Sequence, residues 1–450
     1  MINRIVKRIY TVWKIRLDSP MNISGGDNNL TDSDFQRNGD GVLFIPGTSV
    51  AGAFRSYLKQ KKDEEGIFGY SSGEKGFMSR VFLSDIYFNE GTSVSVRDGV
   101  QLDEDKIILK EKKFDMEILE TGACGKLYIE CVLREHDHEQ DFYESLHRIA
   151  SGIQMGEIRF GSKKTRGFGR IRLTEIHEKA FTEKTRKEWT DFLTDQENLS
   201  FYKKISVEEY IHDFLETESR YLKITVPLRQ NGGISIRKYS AQPDKADYEH
   251  VTCNGVPVIP GSSWNGAIRS SAERILKELG CRERKILLDR WFGYVLNKNE
   301  NNITKKARAR KSMVTVGESI ITDSREEQYV NMPISRNRIN RFDASTVNGA
   351  LYSEIACFNG HTELELYIEK KEDWTALTAL LCLIIKDIRN GYLAVGGQTA
   401  VGRGIFTGDG EICYSESVDE KECMRELCRV LDAVECGRKN HEYSRLQPDK

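Results

Sequence analysis

The chain has 450 residues, of which 39% are hydrophobic and 30% charged, and a formal net charge of −2. That length suits two or three domains with cores of their own. The near-neutral balance excludes a global basic field, so any nucleic-acid contact must rest on local patches. The ten cysteines are scattered without a CxxC pair. This points to a reducing cytoplasm and no disulfide framework. Residues 1–8 lack the apolar stretch of a signal peptide, and the longest apolar run, 374–385, is too short to span a membrane.

In chain order, residues 10–17 read as a strand. A polar loop over 22–41 follows and carries Asp27, Asp32, Asp34 and Asp40. Next comes Ile45-Pro46-Gly47-Thr48-Ser49-Val50-Ala51-Gly52-Ala53-Phe54-Arg55-Ser56. Proline fixes one backbone angle and glycine permits a tight turn, so this stretch predicts a strand end, a turn and a helix start. Gly47 is expected at φ > 0 and Ser49 at or near the N-cap. The helix over 49–60 has an apolar face of Val50, Ala53, Phe54, Tyr57 and Leu58. Gly52 and Ala53 would let it lie close to another backbone or a ligand. Residues 81–88 read as a strand, 94–114 as polar and turn-rich, and 116–133 as strand again. A second helix is predicted over 140–154, with Phe142, Leu146, Ile149, Ala150 and Ile153 on one face. A Gly-rich loop, 161–169, then leads into a strand at 170–174.

Residues 177–219 read as a charged, helical connector packed through Trp189, Phe192 and Leu193. After it the first half repeats. Ile259-Pro260-Gly261-Ser262-Ser263-Trp264-Asn265-Gly266-Ala267-Ile268-Arg269-Ser270 matches the first signature. Gly232-Gly233 pairs with Gly25-Gly26, Trp291-Phe292-Gly293 with Ile67-Phe68-Gly69, and loop 396–404 with loop 161–169. Four ordered matches indicate a tandem duplication, with a period too long for a solenoid. Helices are expected at 264–279, 373–389 and, in the tail, 419–436. The order strand, helix, strands, helix, Gly-rich loop, strand fits an elaborated β-α-β-β-α-β unit. The fold expected is α+β, two tandem ferredoxin-like (RRM-like) domains at 1–176 and 220–414, with connector 177–219 and helical tail 415–450.

The first Gly-rich loop is the best anion site. Its glycines bring backbone N–H groups close to phosphate, and Lys163, Lys164, Arg166 and Arg170 supply charge. It is neither a Walker A loop nor a dinucleotide fingerprint. The second copy is less basic, with Arg403 alone, so unequal binding is expected. Segments 96–103 and 336–343 read as projecting hairpins. Arg336, Arg338 and Arg341 suit backbone gripping, and nearby apolar residues suit wedging between bases; a solubilising loop is the bland alternative. The basic run 305–311 is a further patch candidate. Carboxylates crowd the loops before the signatures, with Asp244, Asp247 and Glu249 in the second copy. They hold Mg²⁺ or move a proton, or they are simple turn formers. His250 reads as structural or surface.

The ordered set resembles the RAMP superfamily of CRISPR proteins, with inserted thumb hairpins. Each half looks like the backbone subunit of a type III effector complex. The resemblance implies CRISPR RNA, target RNA and other effector subunits as partners, in the cytoplasm and without a membrane. It assigns RNA contacts to Arg55 and Arg269 besides the loop and hairpin cations. Asp32-Ser33-Asp34-Phe35-Gln36-Arg37-Asn38 is similar to the family's D-S-x-x-x-R-D, departing from it at Asn38. The resemblance therefore implies metal-dependent target RNA cleavage, with Mg²⁺, at Asp32. Asp247, with Asp244 behind it, is the nearest match in the second half. A non-catalytic scaffold, a stand-alone RNA-processing endonuclease and a nucleotide-binding enzyme stay open as alternatives.

Overall fold

A computed structural model describes residues 4–25, 31–60, 67–72, 75–89, 91–102, 108–212, 219–239, 246–294, 310–322 and 330–445. Gly26, Asp27, Asp244 and residues 305–309 of the basic run lie outside the described residues. The chain divides at Ser219/Arg220 into two compact units, with Thr165–Gly167 grouped with the second.

In the first unit, strand Ile5–Leu17 lies between Ile171–Thr182 and Cys124–Arg134 in an antiparallel sheet. Side chains alternate along a strand, so each face of Ile5–Leu17 meets a different layer. Ile9, Trp13, Ile15 and Leu17 share a core with the buried faces of helices Gly47–Gln60 and Glu139–Gln154. Tyr10 and Val12 face the other way, onto Phe181, Phe192 and Tyr202.

That second layer corrects the connector. Strand Ile171–Thr182 runs through its start, and Lys203–Ile205 pairs with that strand. Within 177–219 the described α-helices are only Arg186–Phe192 and Val207–Ile211. The segment covers an apolar sheet face, so it is part of the first unit. Trp189 and Phe192 pack there, whereas Leu193 is exposed. The strand read over 81–88 is broken into Val81–Leu83 and Ile86–Phe88. Between them Asp85 Oδ1 accepts the Gly47 N–H at 2.7 Å, so Asp85 serves the helix start. The helices begin at Gly47 and Gly261, so Ser49 lies in the first turn, near the cap and not at it, and Ser263 repeats the position. Residues 94–102 and 108–114 belong to a hairpin, Val94–Leu102 with Ile108–Leu119.

In the second unit, Tyr221–Asn231 is paired with His361–Glu369 and Ile405–Gly408. Its Leu222, Ile224, Val226 and Leu228 enter a core shared with helices Gly261–Glu278, Arg284–Phe292 and Trp374–Arg389. The tail helix Glu420–Arg445 buries Cys423, Leu427 and Val430 in the same core, while Cys428 is exposed. A second sheet joins Gly233–Ile234, Tyr352–Phe358, Tyr248–His250 and Arg237–Tyr239. Val330–Arg336 pairs with Tyr352–Phe358 as this unit's hairpin.

The duplication holds bond by bond. Phe160 N–H donates to Gly169 O at 2.9 Å, as Val395 does to Gly404 O at 2.9 Å. Gly169 N–H donates to Pro20 O at 2.9 Å, as Gly404 does to Gly233 O at 2.8 Å. Ser162 N–H donates to Asn22 O at 2.8 Å, as Gly397 does to Ser235 O at 2.8 Å. Gly233 therefore stands where Pro20 stands, which corrects its pairing with Gly25-Gly26. Gly169 and Gly404 have φ of +78° and +72°, and a Cβ at either would lie 1.8 Å from a carbonyl oxygen. Gly47 and Gly261 are different: neither is among the positive-φ glycines. Close approach excludes a side chain at Gly47, where a Cβ would meet Leu83 O at 2.9 Å. Gly52 and Gly266 have open space around the missing Cβ, so no close backbone contact explains them.

Candidate nucleic-acid interface

The candidate carboxylates are hydrogen-bonded to the returning strands of the two hairpins, at Asp115 opposite Asp98 and at Ser353 opposite Ser335. Asp32 is exposed, and its Oδ2 accepts the Asp115 N–H at 3.0 Å. In return the Asp32 N–H donates to Asp115 Oδ1 at 2.9 Å. Asp115 lies on the returning hairpin strand Ile108–Leu119. Asp247 repeats the arrangement. Its Oδ2 accepts the Ser353 N–H at 2.8 Å, and its N–H reaches Ser353 Oγ at 3.3 Å. Ser353 lies on the returning strand of the second hairpin, Tyr352–Phe358.

The first site is braced from below. Buried Asn22 donates from Nδ2 to Glu117 O at 2.8 Å and Ser33 O at 3.2 Å. Its Oδ1 accepts from Ser162 Oγ at 2.8 Å and from Ser33 Oγ at 3.2 Å. One amide thus ties together the Asp32 loop, the returning hairpin strand and the Gly-rich loop. Arg37 grips Glu117 with two bonds of 2.6 Å, and Glu117 also accepts the Phe35 N–H at 2.8 Å. The Arg37 bonds lead in holding the Glu117 carboxyl below its ordinary range. Asp34 is buried and accepts from the Thr31 hydroxyl, which gives it a local structural bond.

Of the loop cations, Lys163 is exposed at φ +53°, with its ammonium 3.9 Å from the centre of the Phe114 ring. Lys164 and Arg166 form a 3₁₀ turn, and burial lowers the Arg166 pKa. Arg170 is half-buried, its N–H held by Ser19 Oγ. Arg55 is half-buried on its helix with no ion pair among the described residues. Arg269, its repeat, donates to Gly293 O at 3.0 Å and lies 3.4 Å from Asp289. Arg403 is buried against the Phe358 ring, 4.7 Å from its centre. It occupies the place of buried Phe168 in the first loop, so its charge is not displayed on the surface.

The hairpins also differ. Arg97 of the first is buried and paired with buried Glu120 at 3.6 Å. Val96 and Val100 are its exposed apolar residues among those described. In the second, Arg336 lies 3.5 Å from fully buried Glu354, which also faces Arg237 at 3.6 Å and accepts from Gln398 at 2.9 Å. Beyond it Arg338 and Arg341 are exposed, and Phe342 is 100% exposed. Asn340 Oδ1 accepts the Phe342 N–H at 3.0 Å, and Asp343 holds Ser345, so the turn presenting this ring is well braced. His250 is buried, accepts the Ile236 N–H at Nδ1 and bonds Val258 O through Nε2. Burial drives its pKa down to about 4, so it is a neutral structural group.

The sequence profile of the RAMP superfamily matches residues 14–172 and again residues 246–407, more than half of the chain. The chain belongs to the RAMP superfamily. RAMP proteins work in RNA-bound, multi-subunit CRISPR complexes, which supports a CRISPR-associated, RNA-binding role here. The two matched regions are the two copies of the fold. No curated protein shows a significant match to this RAMP protein. Among the described residues no helix is long and apolar enough to cross a membrane.

Asn22, Asp115, Glu117 and Glu354 were not singled out in the sequence. Each is a lone polar residue in a strand or loop, and nothing in the local pattern distinguishes it from solvated surface. Phe342 was visible only as part of an Arg-containing segment. Its full exposure is a property of the turn.

Proposed function

We propose that this RAMP protein is a fused, two-unit backbone subunit of a cytoplasmic type III CRISPR effector complex. It grips CRISPR RNA and cleaves the paired target RNA beside each hairpin. One observation carries the reading: in both units the candidate carboxylate is hydrogen-bonded to the returning strand of the hairpin. A nucleotide displaced by the hairpin would then meet Asp32 or Asp247 at a fixed place.

Cleavage within RNA needs in-line geometry more than a strong base. A duplex resists that geometry, and a displaced nucleotide can adopt it. The 2′-oxygen forms a bond to phosphorus while the P–O5′ bond breaks, leaving a cyclic phosphate and a 5′-hydroxyl. The carboxylate of Asp32 or Asp247 accepts the 2′-hydroxyl proton, and water returns a proton to O5′. Among the described residues no three metal-ligating side chains converge. Mg²⁺ commonly takes one or two carboxylates together with substrate phosphate. Asp32 and Asp247 would each supply one such carboxylate. Bound there, Mg²⁺ would offset charge on the phosphate.

Exposed Phe342, directly after Arg341 and four residues after Arg338, suits stacking on a base while the two cations suit the neighbouring backbone. Lys163, Lys164 and Arg170 suit phosphate contacts from the first loop. The test is target RNA cleavage by the assembled, guide-loaded complex with Mg²⁺. The variant carrying both Asp32→Ala and Asp247→Ala is expected to retain guide RNA and lose cleavage. Unchanged cleavage would make the subunit a scaffold.

A further inference from the structure

We infer that Asp115 is the positioning residue for Asp32, and that Ser353 serves Asp247 in the same way. The inference rests on reading Asp32 and Asp247 as the cleaving carboxylates.

An exposed loop carboxylate is free to sample several rotamers, and holding it in one costs entropy. In the first unit a closed ring of two bonds removes that freedom. The backbone N–H of Asp115 fixes Asp32 Oδ2 at 3.0 Å, and Asp115 Oδ1 fixes the Asp32 backbone at 2.9 Å. Both the main chain and the side chain of Asp32 are therefore referenced to one residue of the hairpin. In the second unit Ser353 does both tasks: its N–H donates to Asp247 Oδ2 at 2.8 Å, and its Oγ is 3.3 Å from the Asp247 N–H. Ser353 Oγ also lies 3.3 Å from Asp247 Oδ2. Carboxylate and hydroxyl are different groups, one charged and one neutral. What they share is an acceptor oxygen placed for the backbone N–H of the loop. The duplication has therefore kept the acceptor without keeping the charge.

This fixes the substitution pattern. Asn and Ser keep an acceptor oxygen at position 115 and remove the charge; Ala removes both. In the assembled, guide-loaded complex, Asp115→Ala should slow the cut that depends on Asp32 by about 10- to 100-fold, the range expected when a reacting group shifts by about an ångström. Guide RNA binding and the cut that depends on Asp247 should not change. Asp115→Asn and Asp115→Ser should restore most of the rate, and Ser353→Ala should slow only the Asp247 cut. A residue that only supported the fold would not show this rescue confined to one cut. If Asp115→Asn is as slow as Asp115→Ala, the charge is what matters and the positioning role is overturned. The same follows if Asp115→Ala is as fast as wild type while Asp32→Ala has lost its cut. If Asp32→Ala itself cleaves normally, the underlying functional reading fails instead, and the inference falls with it.

Discussion

Asp32 and Asp115 bind each other twice, the backbone N–H of each donating to the carboxylate of the other at 2.9 and 3.0 Å. The bonds span 83 residues of sequence and join a loop to the returning strand of a hairpin. A carboxylate held this way is referenced to the hairpin strand as well as to its own loop. The same relation between Asp247 and Ser353 makes it a property of the repeated unit.

Arg37 and Glu117 form the second clamp on that loop. Arg37→Ala leaves a largely buried carboxylate short of its partner and should cost about 1–3 kcal/mol of first-unit stability. Thermal unfolding with and without the substitution checks it. Because Arg37 lowers the Glu117 pKa, the clamp's contribution is complete above the unfolded-state pKa. It is lost as pH falls through the lower, folded value. The pH dependence should weaken in Arg37→Ala.

His250 gives the second unit an acid sensitivity of its own. Its folded pKa is about 4 against an ordinary 6.5. The neutral form is favoured by folding, so stability is highest above about pH 6.5 and declines as pH falls towards 4. The expected loss is about 3 kcal/mol across that window. His250→Gln should flatten the profile, as followed by denaturant unfolding at several pH values.

Glycines separate into required and free positions. Gly169→Ala and Gly404→Ala combine positive φ with a Cβ 1.8 Å from a carbonyl oxygen, and each should destabilise its own unit by more than about 1 kcal/mol. Gly52→Ala, in open space within a helix, should stabilise by about 0.5–1 kcal/mol. Gly47→Val should be severely destabilising through collision with Leu83 O at 2.9 Å, in spite of its ordinary φ. Melting temperatures of the four variants decide this.

Phe342 and Arg403 should behave in opposite ways. Phe342 is fully exposed, so Phe342→Ala should leave the melting temperature unchanged. It should weaken RNA engagement by about 1–3 kcal/mol, the range for one lost base stack. Arg403 is buried on Phe358, so Arg403→Ala should lower stability and leave the salt dependence of RNA binding intact. Melting curves and RNA titrations at two salt concentrations read both effects.

The paired helices, the signature turns and both Gly-rich loops were legible because turn residues at repeated spacing provide two independent readings of one unit. The hairpins were legible for the same reason. Residues 177–219 read as a separate connector because their charges hide that the segment begins inside sheet strand Ile171–Thr182, which carries Phe181, and then lays Phe192 and Tyr202 on that sheet face. Gly47 reads as φ > 0 in the sequence because close approach and a left-handed backbone leave the same mark, a glycine in a turn. The Asp32–Asp115 ring was not legible, since its two members are far apart in sequence and each resembles an ordinary surface acid. Arg403 read as a displayed cation because nothing in Gly402-Arg403-Gly404 shows that it replaces a buried phenylalanine.

The most direct measurement is cleavage-site mapping on one guide-matched target RNA, comparing wild type, Asp32→Ala and Asp247→Ala in the assembled complex with Mg²⁺. Two hairpin-registered nucleases in one chain predict two cuts, each removed by its own substitution while the other persists. Both cuts persisting in both variants, with RNA still bound, would contradict the account and leave the chain a scaffold.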